Sequence, residues 1–275
     1  MDYTKIRFYN DASLNEVLVA WLGENDFDMF EERIDGLNAY IESSRFSEDK
    51  LKEALAFMPD ADNISYETSL IRGSNWNKEW ESNFPAVTID NRVHIRAPFH
   101  DAIESAEHEI IIEPKMSFGT GHHATTSCMI KLMLDSDFKN KSVLDLGTGT
   151  GILAILAERL GAASILAIDI DDNSVENSME NIARNNCGRI TIQKGDASIL
   201  AGRRFDIVLV NINRNILLQD MGRYSDSLND HGLLFLSGIL VEDERVILES
   251  ASRYHLQADQ RLTEGDWLAI KLKRN

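Results

Sequence analysis

Val143-Leu144-Asp145-Leu146-Gly147-Thr148-Gly149-Thr150-Gly151 is an apolar strand that runs straight into a glycine-rich turn, and Ile152–Leu160 continues as a helix. Glycine carries no Cβ, so a turn built from it bends tightly and lets bare backbone approach a ligand. The helix that follows presents N–H groups with no intrahelical partner. Strand, turn and helix in this order mark the crevice in which doubly wound α/β sheets bind ligands. The dinucleotide fingerprint G-x-G-x-x-G needs a small residue at 152, where Ile152 stands, and this weighs against a nicotinamide cofactor.

Outward from that turn, apolar strands alternate with amphipathic helices. Strands are expected at Ser142–Asp145, Ile165–Asp169, Ile190–Gln193, Phe205–Val210, Leu233–Ser237, His255–Arg261 and Trp267–Leu272, with helices at Ser174–Asn185, Ile216–Leu228 and Glu242–Tyr254. Continuous apolar strands separated by helices predict a mostly parallel, seven-stranded sheet covered on both faces. The last two strands have no helix between them, so one is expected to run antiparallel at an edge. Asp169 closes the second strand, 22 residues past Gly147, where a carboxylate is placed to accept both ribose hydroxyls of an adenosine-bearing cofactor. Asp169 could instead join Asp171 and Asp172 in capping the next helix. Gly195-Asp196-Ala197 sets another acid at a strand end, either to accept from an adenine amino group or to cap. The fourth strand ends in Asn211-Ile212-Asn213. The Asn211 carbonyl can accept from a substrate amine and direct its lone pair, and as a neutral group it leaves that amine unprotonated more readily than a carboxylate would. Satisfying loop backbone is the other use of an Asn at such a place.

The first seventy residues read as βαββαβ: strands Thr4–Tyr9, Phe27–Arg33, Gly36–Ile41 and Ile64–Ile71, with helices Ser13–Leu22 and Glu48–Met58 behind Ser47 as N-cap. Two helices on one face of a four-stranded antiparallel sheet bury that pattern, a small ferredoxin-like α+β domain. Domains are expected at 1–73 and 110–275, joined by a linker over 74–109 that holds Trp76, Trp80, Pro85 and Pro98, with short strands at Ala86–Ile89 and Val93–Arg96. The formal charge is −17, which disfavours nucleic acid as a partner and fits a basic one. Residues 1–80 hold 17 acidic against 8 basic side chains, a net of −9 and over half the excess. No apolar run reaches the roughly 20 residues of a membrane span and no signal segment opens the chain, so a cytoplasmic address is expected. Cys128 and Cys187 lack C-x-x-C spacing, and neither a disulfide nor a zinc site is expected.

Upstream of the glycine turn stand Glu113-Pro114 and then Lys115-Met116-Ser117-Phe118-Gly119-Thr120-Gly121-His122-His123-Ala124-Thr125-Thr126. With Leu144–Gly151, Asp169 and Asn211-Ile212, this run closely resembles the bacterial methyltransferases of large-subunit ribosomal protein eleven, over most of 110–272. The resemblance implies a Rossmann-like methyltransferase domain in which Thr126, Gly147, Asp169 and Asn211 contact S-adenosylmethionine, with Phe118 and the Gly119–Gly121 loop closing over it. Gly149, in the same turn, is counted with Gly147 in the cradle, and Asn211 would also face the amine as the catalytic residue. It implies a small N-terminal domain that recognises the substrate, and methylation of the α-amine and lysine ε-amines of that basic ribosomal protein in its free form, by an enzyme expected to be monomeric. Where the family commonly has Thr-His-Pro this chain has His122-His123-Ala124, and Asn213-Arg214 replace small or apolar residues; both departures bear on substrate fit.

Adjacent histidines rarely point into one site, and no H-E-x-x-H accompanies His122-His123, so no metal is expected and His123 is read as positioning its loop. Three other readings stand beside this one. A methyltransferase of another amine, such as a release-factor glutamine or a nucleic-acid base, favours Asn-Pro-Pro-Tyr after the fourth strand, and this chain lacks both prolines and the aromatic. A nicotinamide oxidoreductase is opposed by Ile152 and by the absence of a plausible acid/base for hydride transfer. A non-catalytic binding module would keep the fold and bind neither cofactor.

Overall fold

The computed structural model describes residues 2–11, 14–23, 25, 27, 29–33, 35–55, 64–71, 85–103, 106–115 and 118–275. The expected linker residues 74–84, with Trp76 and Trp80, and the end of the second helix, Met58 included, lie outside them. By its contacts the chain divides into two units, Met1–Pro85 and Ala86–Asn275.

In the first unit, β1 (Tyr3–Tyr9), β2 (Met29–Arg33), β3 (Gly36–Glu42) and β4 (Ser65–Ile71) form an antiparallel sheet of order β2-β3-β1-β4, with α1 (Asn15–Gly23) and α2 (Glu48–Leu55) between strands as the βαββαβ reading requires. The period of two along a strand sets the faces. Ile6 and Phe8 of β1 and Leu37, Ala39 and Ile41 of β3 pack with Leu18, Leu22, Leu51 and Leu55 of the helices. On the opposite face Asn38 and Tyr40 are also buried, and both donate to Glu31 Oε2, at 2.7 and 3.0 Å.

The second unit is built on a seven-stranded sheet of order β10-β9-β8-β11-β12-β14-β13: β8 (Ser142–Leu146), β9 (Ser164–Asp169), β10 (Ile190–Lys194), β11 (Phe205–Asn211), β12 (Leu228–Leu240), β13 (Leu256–Glu264) and β14 (Trp267–Arg274). Neighbouring side chains on each strand enter opposite cores. Val143, Ile165, Ile207 and Phe235 pack under α3 (Ala124–Leu134) and α4 (Ile152–Arg159). Leu144, Ile168, Val208 and Leu234 pack under α6 (Arg214–Asp226) and α7 (Glu244–Ser252). Helix α5 (Asp172–Arg184) joins β9 to β10. This is the Rossmann-like, doubly wound fold of the sequence reading.

One detail differs. The antiparallel strand is β14, and it lies between β12 and β13, one place in from the edge. Burial explains the order: Leu268, Ala269, Ile270 and Leu272 of β14 are each at most 1% exposed, whereas β13 alternates Leu256 with mostly exposed polar residues. The more apolar strand takes the inner slot.

Residues 86–96 form β5 (Val87–Ile89) and β6 (Val93–Arg96), and β6 pairs in parallel with β7 (His108–Ile111). Ile89, Val93, Ile95 and Ile110 belong to the same core as α3 and α4, so this stretch is packed structure of the second unit. Among the described residues no helix is long and apolar enough to cross a membrane.

Candidate active site

The carboxyl ends of β10, β9, β8 and β11 deliver Asp196, Asp169, the glycine turn and Asn211 to one cleft of about 510 Å³. The turn is fixed by its own backbone: Gly147 and Thr148 N–H both donate to the Ile168 carbonyl, at 2.8 and 3.0 Å. Gly147 and Gly149 have φ of 72° and 54°, a region that L side chains enter at a cost. Space forbids a side chain as well. A Cβ on Gly147 would stand 2.5 Å from Ile212 Cγ2, and one on Gly149 2.3 Å from the Phe118 carbonyl oxygen. The second contact exists because the Phe118–Gly119 segment is tied to the turn: Thr150 N–H donates to Phe118 O at 3.0 Å and Thr150 Oγ1 to Gly119 O at 2.5 Å.

Asp169 is 9% exposed, and its two oxygens accept from Gly149 N–H at 2.9 Å and Asp171 N–H at 3.0 Å. Each oxygen keeps a second lone pair. Capping of α5 falls to Asp171, which accepts from Ser174 N–H at 2.9 Å, so Asp169 is free of that duty. Asp196 both lines the cleft and caps the short 3₁₀ turn Ala197–Leu200; hydrogen bonds from Ser198 hold its carboxyl below the usual range. Deeper, Asp145 is 1% exposed and accepts from Thr148 Oγ1 at 2.6 Å.

Burial pushes the Asp145 carboxyl up to about 7, against the hydrogen bond from Thr148. An unfolded Asp releases its proton near pH 3.9, so from about pH 4 to about pH 7 the native chain holds a proton that the unfolded chain does not. Stability contributed by this residue therefore falls as pH rises through that window and is level above it. Urea unfolding of the wild type and Asp145→Asn across the window is expected to show the difference in unfolding free energy moving steadily in the variant's favour; parallel pH curves would contradict it.

Asn211 is the last residue of β11, and its Oδ1 is buried with no hydrogen-bond partner among the described residues. Leaving such an acceptor unmade costs about 1–3 kcal/mol. The segment is clamped around it. Ile212 N–H donates to Ser237 O at 3.2 Å, and Gly238, at φ 85°, lies so close that a Cβ there would be 2.1 Å from Ile212 O. Asn213 caps α6 by accepting from Ile216 N–H at 3.2 Å, and Arg214 pairs with Asp243 at 2.7 Å. At the mouth, His123 accepts from Thr125 N–H at 3.3 Å as the cap of α3, and its ring meets those of Phe118 and Trp267 edge-on at 5.2 and 4.7 Å. Among the described residues no group of three His, Cys, Asp or Glu side chains could hold a metal.

The model of the ribosomal protein L11 methyltransferase (PrmA) family matches residues 13–275. The chain belongs to this family. The L11 methyltransferase of Phocaeicola vulgatus is 42% identical over 277 residues, 98% of this chain and 99% of that one, and that of Bacteroides fragilis is 45% identical over 262 residues, 94% of each. The crystal structure of a ribosomal protein L11 methylase from Lactobacillus delbrueckii subsp. bulgaricus superposes with a TM-score of 0.64 at 29% identity, over 70% of this chain and all of its own.

In this family member Phe118, Gly147, Gly149, Asp169 and Asn211, all named from the sequence, line one cleft. Thr126 does not line it; it is 0% exposed, with its Oγ1 unpartnered, and its neighbour Thr125 faces the cleft instead. Sequence reasoning passed over Thr125, Ile170, Ser174, Ile216, Asp220, Gly238 and Trp267, which also line it. Gly238 had a readable signal, a glycine directly after a predicted strand. Trp267 had none, because it reaches the cleft through the inserted strand β14.

Proposed function

We propose that this chain transfers methyl groups from S-adenosylmethionine to amino groups, the α-amine and lysine ε-amines, of ribosomal protein L11. The observation that carries the reading is Asn211: a buried, unpartnered acceptor where β11 ends, in a cleft whose other strand ends offer an adenosine-binding set. The residues fit that cofactor. Asp169 retains lone pairs for the ribose hydroxyls, the side-chain-free Gly147–Gly149 backbone leaves room for the ligand, and Ile170, Ala197 and Ile212 offer apolar surface for a purine. Bound there, the cofactor supplies an electrophilic methyl on a sulfonium. Asn211 Oδ1 accepts from the substrate nitrogen, orients its lone pair and, being uncharged, does not favour the ammonium form. The aromatic edge of Phe118, His123 and Trp267 excludes water, and positioning and desolvation carry the catalysis. The net charge of −17, densest over residues 1–80, suits a basic protein substrate, and the first unit is assigned to its recognition.

The test is incubation of the purified protein with methyl-labelled S-adenosylmethionine and the ribosomal proteins of its own host. Label located by mass spectrometry on amines of L11 is the expected result. Label confined to another protein, or none, would overturn the assignment.

A further inference from the structure

Asp220, in the second turn of α6, lines the cleft although its side chain is only 8% exposed. Helical spacing puts it there: Ile216, four residues earlier, shares that face and lines the cleft too. The adjoining face, with Leu217, Met221 and Tyr224, packs with Ala197 and Leu200 of the 3₁₀ turn that follows β10. Helix α6 therefore carries Asp220 from the end of β11 back toward the strand end that holds Asp196. A shared cation marks the approach. Arg223 Nη1 donates to Asp220 Oδ1 at 2.6 Å, and after the hydrogen bonds from Ser198 its charge also helps to hold the Asp196 carboxyl below the usual range.

The two acids are differently placed. Asp196 is exposed, and its Oδ1 already accepts from Ser198 N–H at 2.7 Å. In Asp220 the second oxygen, Oδ2, accepts from nothing among the described residues, and even the buried phenol of Tyr224, one turn on, makes no hydrogen bond among them. An exposed acceptor trades a ligand donor for water at little net gain. A buried one is left unpaired when the ligand lacks the donor, and so it discriminates between ligands.

We propose that Asp220 selects adenine: the exocyclic amine of the cofactor's base donates one hydrogen to Asp220 Oδ2 and the other to Asp196. Two carboxylates beside that amine reject hypoxanthine, whose carbonyl at the same position would face them acceptor to acceptor. Asp169, on the neighbouring strand, meets the ribose hydroxyls, which leaves the base amine to the acids beside β10. The inference rests on the methyltransferase reading of the cleft and adds to it the residue that carries base specificity.

The test compares S-adenosylhomocysteine with S-inosylhomocysteine, which has a carbonyl in place of the amine, by calorimetric titration. The wild type is expected to bind the adenosine form about 100-fold tighter or more. Asp220→Ala is expected to narrow that ratio about 10-fold or more, the worth of one charge-assisted hydrogen bond. Asp220→Asn keeps the packing and can turn its Nδ2 toward the inosine carbonyl, so it is expected to narrow the ratio as well. If Asp220 served only to pair with Arg223, both ligands would weaken together. Narrowing in either variant supports the assignment; a ratio unchanged in both, or a wild type that binds the two ligands alike, would overturn it alone. Failure of the wild type to bind S-adenosylhomocysteine would overturn the functional reading and the assignment with it.

Discussion

Replacing Asn211 by alanine is expected to lower kcat by about 10²-fold or more, because a nucleophile no longer held on the line of attack loses at least that much rate. Oδ1 is buried at the end of β11 and nothing among the described residues satisfies it, so its deletion costs the fold no bond to them and leaves the reaction without its acceptor. Stability should hold or rise slightly while turnover collapses. The aspartate variant separates acceptance from charge. Asn211→Asp keeps an acceptor but favours the ammonium form of the amine, raising its pKa from the ordinary ~10.4 of lysine. Only the neutral amine reacts, so the wild-type rate is expected to rise with pH, and the variant's rise should be displaced to higher pH. Steady-state kinetics of wild type and both variants from about pH 6 to about pH 10 checks this. Superimposable profiles, or an alanine variant of wild-type kcat, would contradict it.

The second large effect is expected at Asp169. Its oxygens already order the turn through Gly149 and Asp171 N–H and have lone pairs left for a ribose diol. Charge-assisted hydrogen bonds contribute about 1.5–3 kcal/mol each. Asp169→Ala deletes those to the ligand and frees Gly149 N–H, and affinity for S-adenosylhomocysteine should fall about 100-fold or more by calorimetry. Loss should be milder in Asp169→Asn, which keeps one oxygen. An alanine variant within a few fold of wild type would remove Asp169 from the cofactor site.

What could be read in advance was what chain-local chemistry controls. The Val143–Gly151 run demands glycine where φ is positive and a Cβ would meet Ile212 or Phe118, and that demand is written in the residues themselves. Asp169 and Asn211 were visible because a parallel strand ends on each. What escaped depends on neighbours distant in sequence. The inner position of β14 follows from competition between two strands for burial, and through it Trp267 reaches His123. Residues 86–96 look like punctuation between domains until Val93 and Ile95 join the core of α3 and α4. Thr125 and Thr126 are adjacent in one helix, and only the phase of α3 decides which of them faces the cleft. Asn181 and Asn185 stand four apart in the sequence, but the backbone groups they bind, of Ile111, Glu113 and Thr150, come from distant parts of the chain.

The central claim is most directly tested by a crystal structure of the protein soaked with S-adenosylmethionine. The account predicts density for the ligand across the ends of β10, β9, β8 and β11, with the ribose on Asp169 and the sulfonium methyl turned toward Asn211. An empty cleft, or a ligand seated with its methyl away from Asn211, would contradict it.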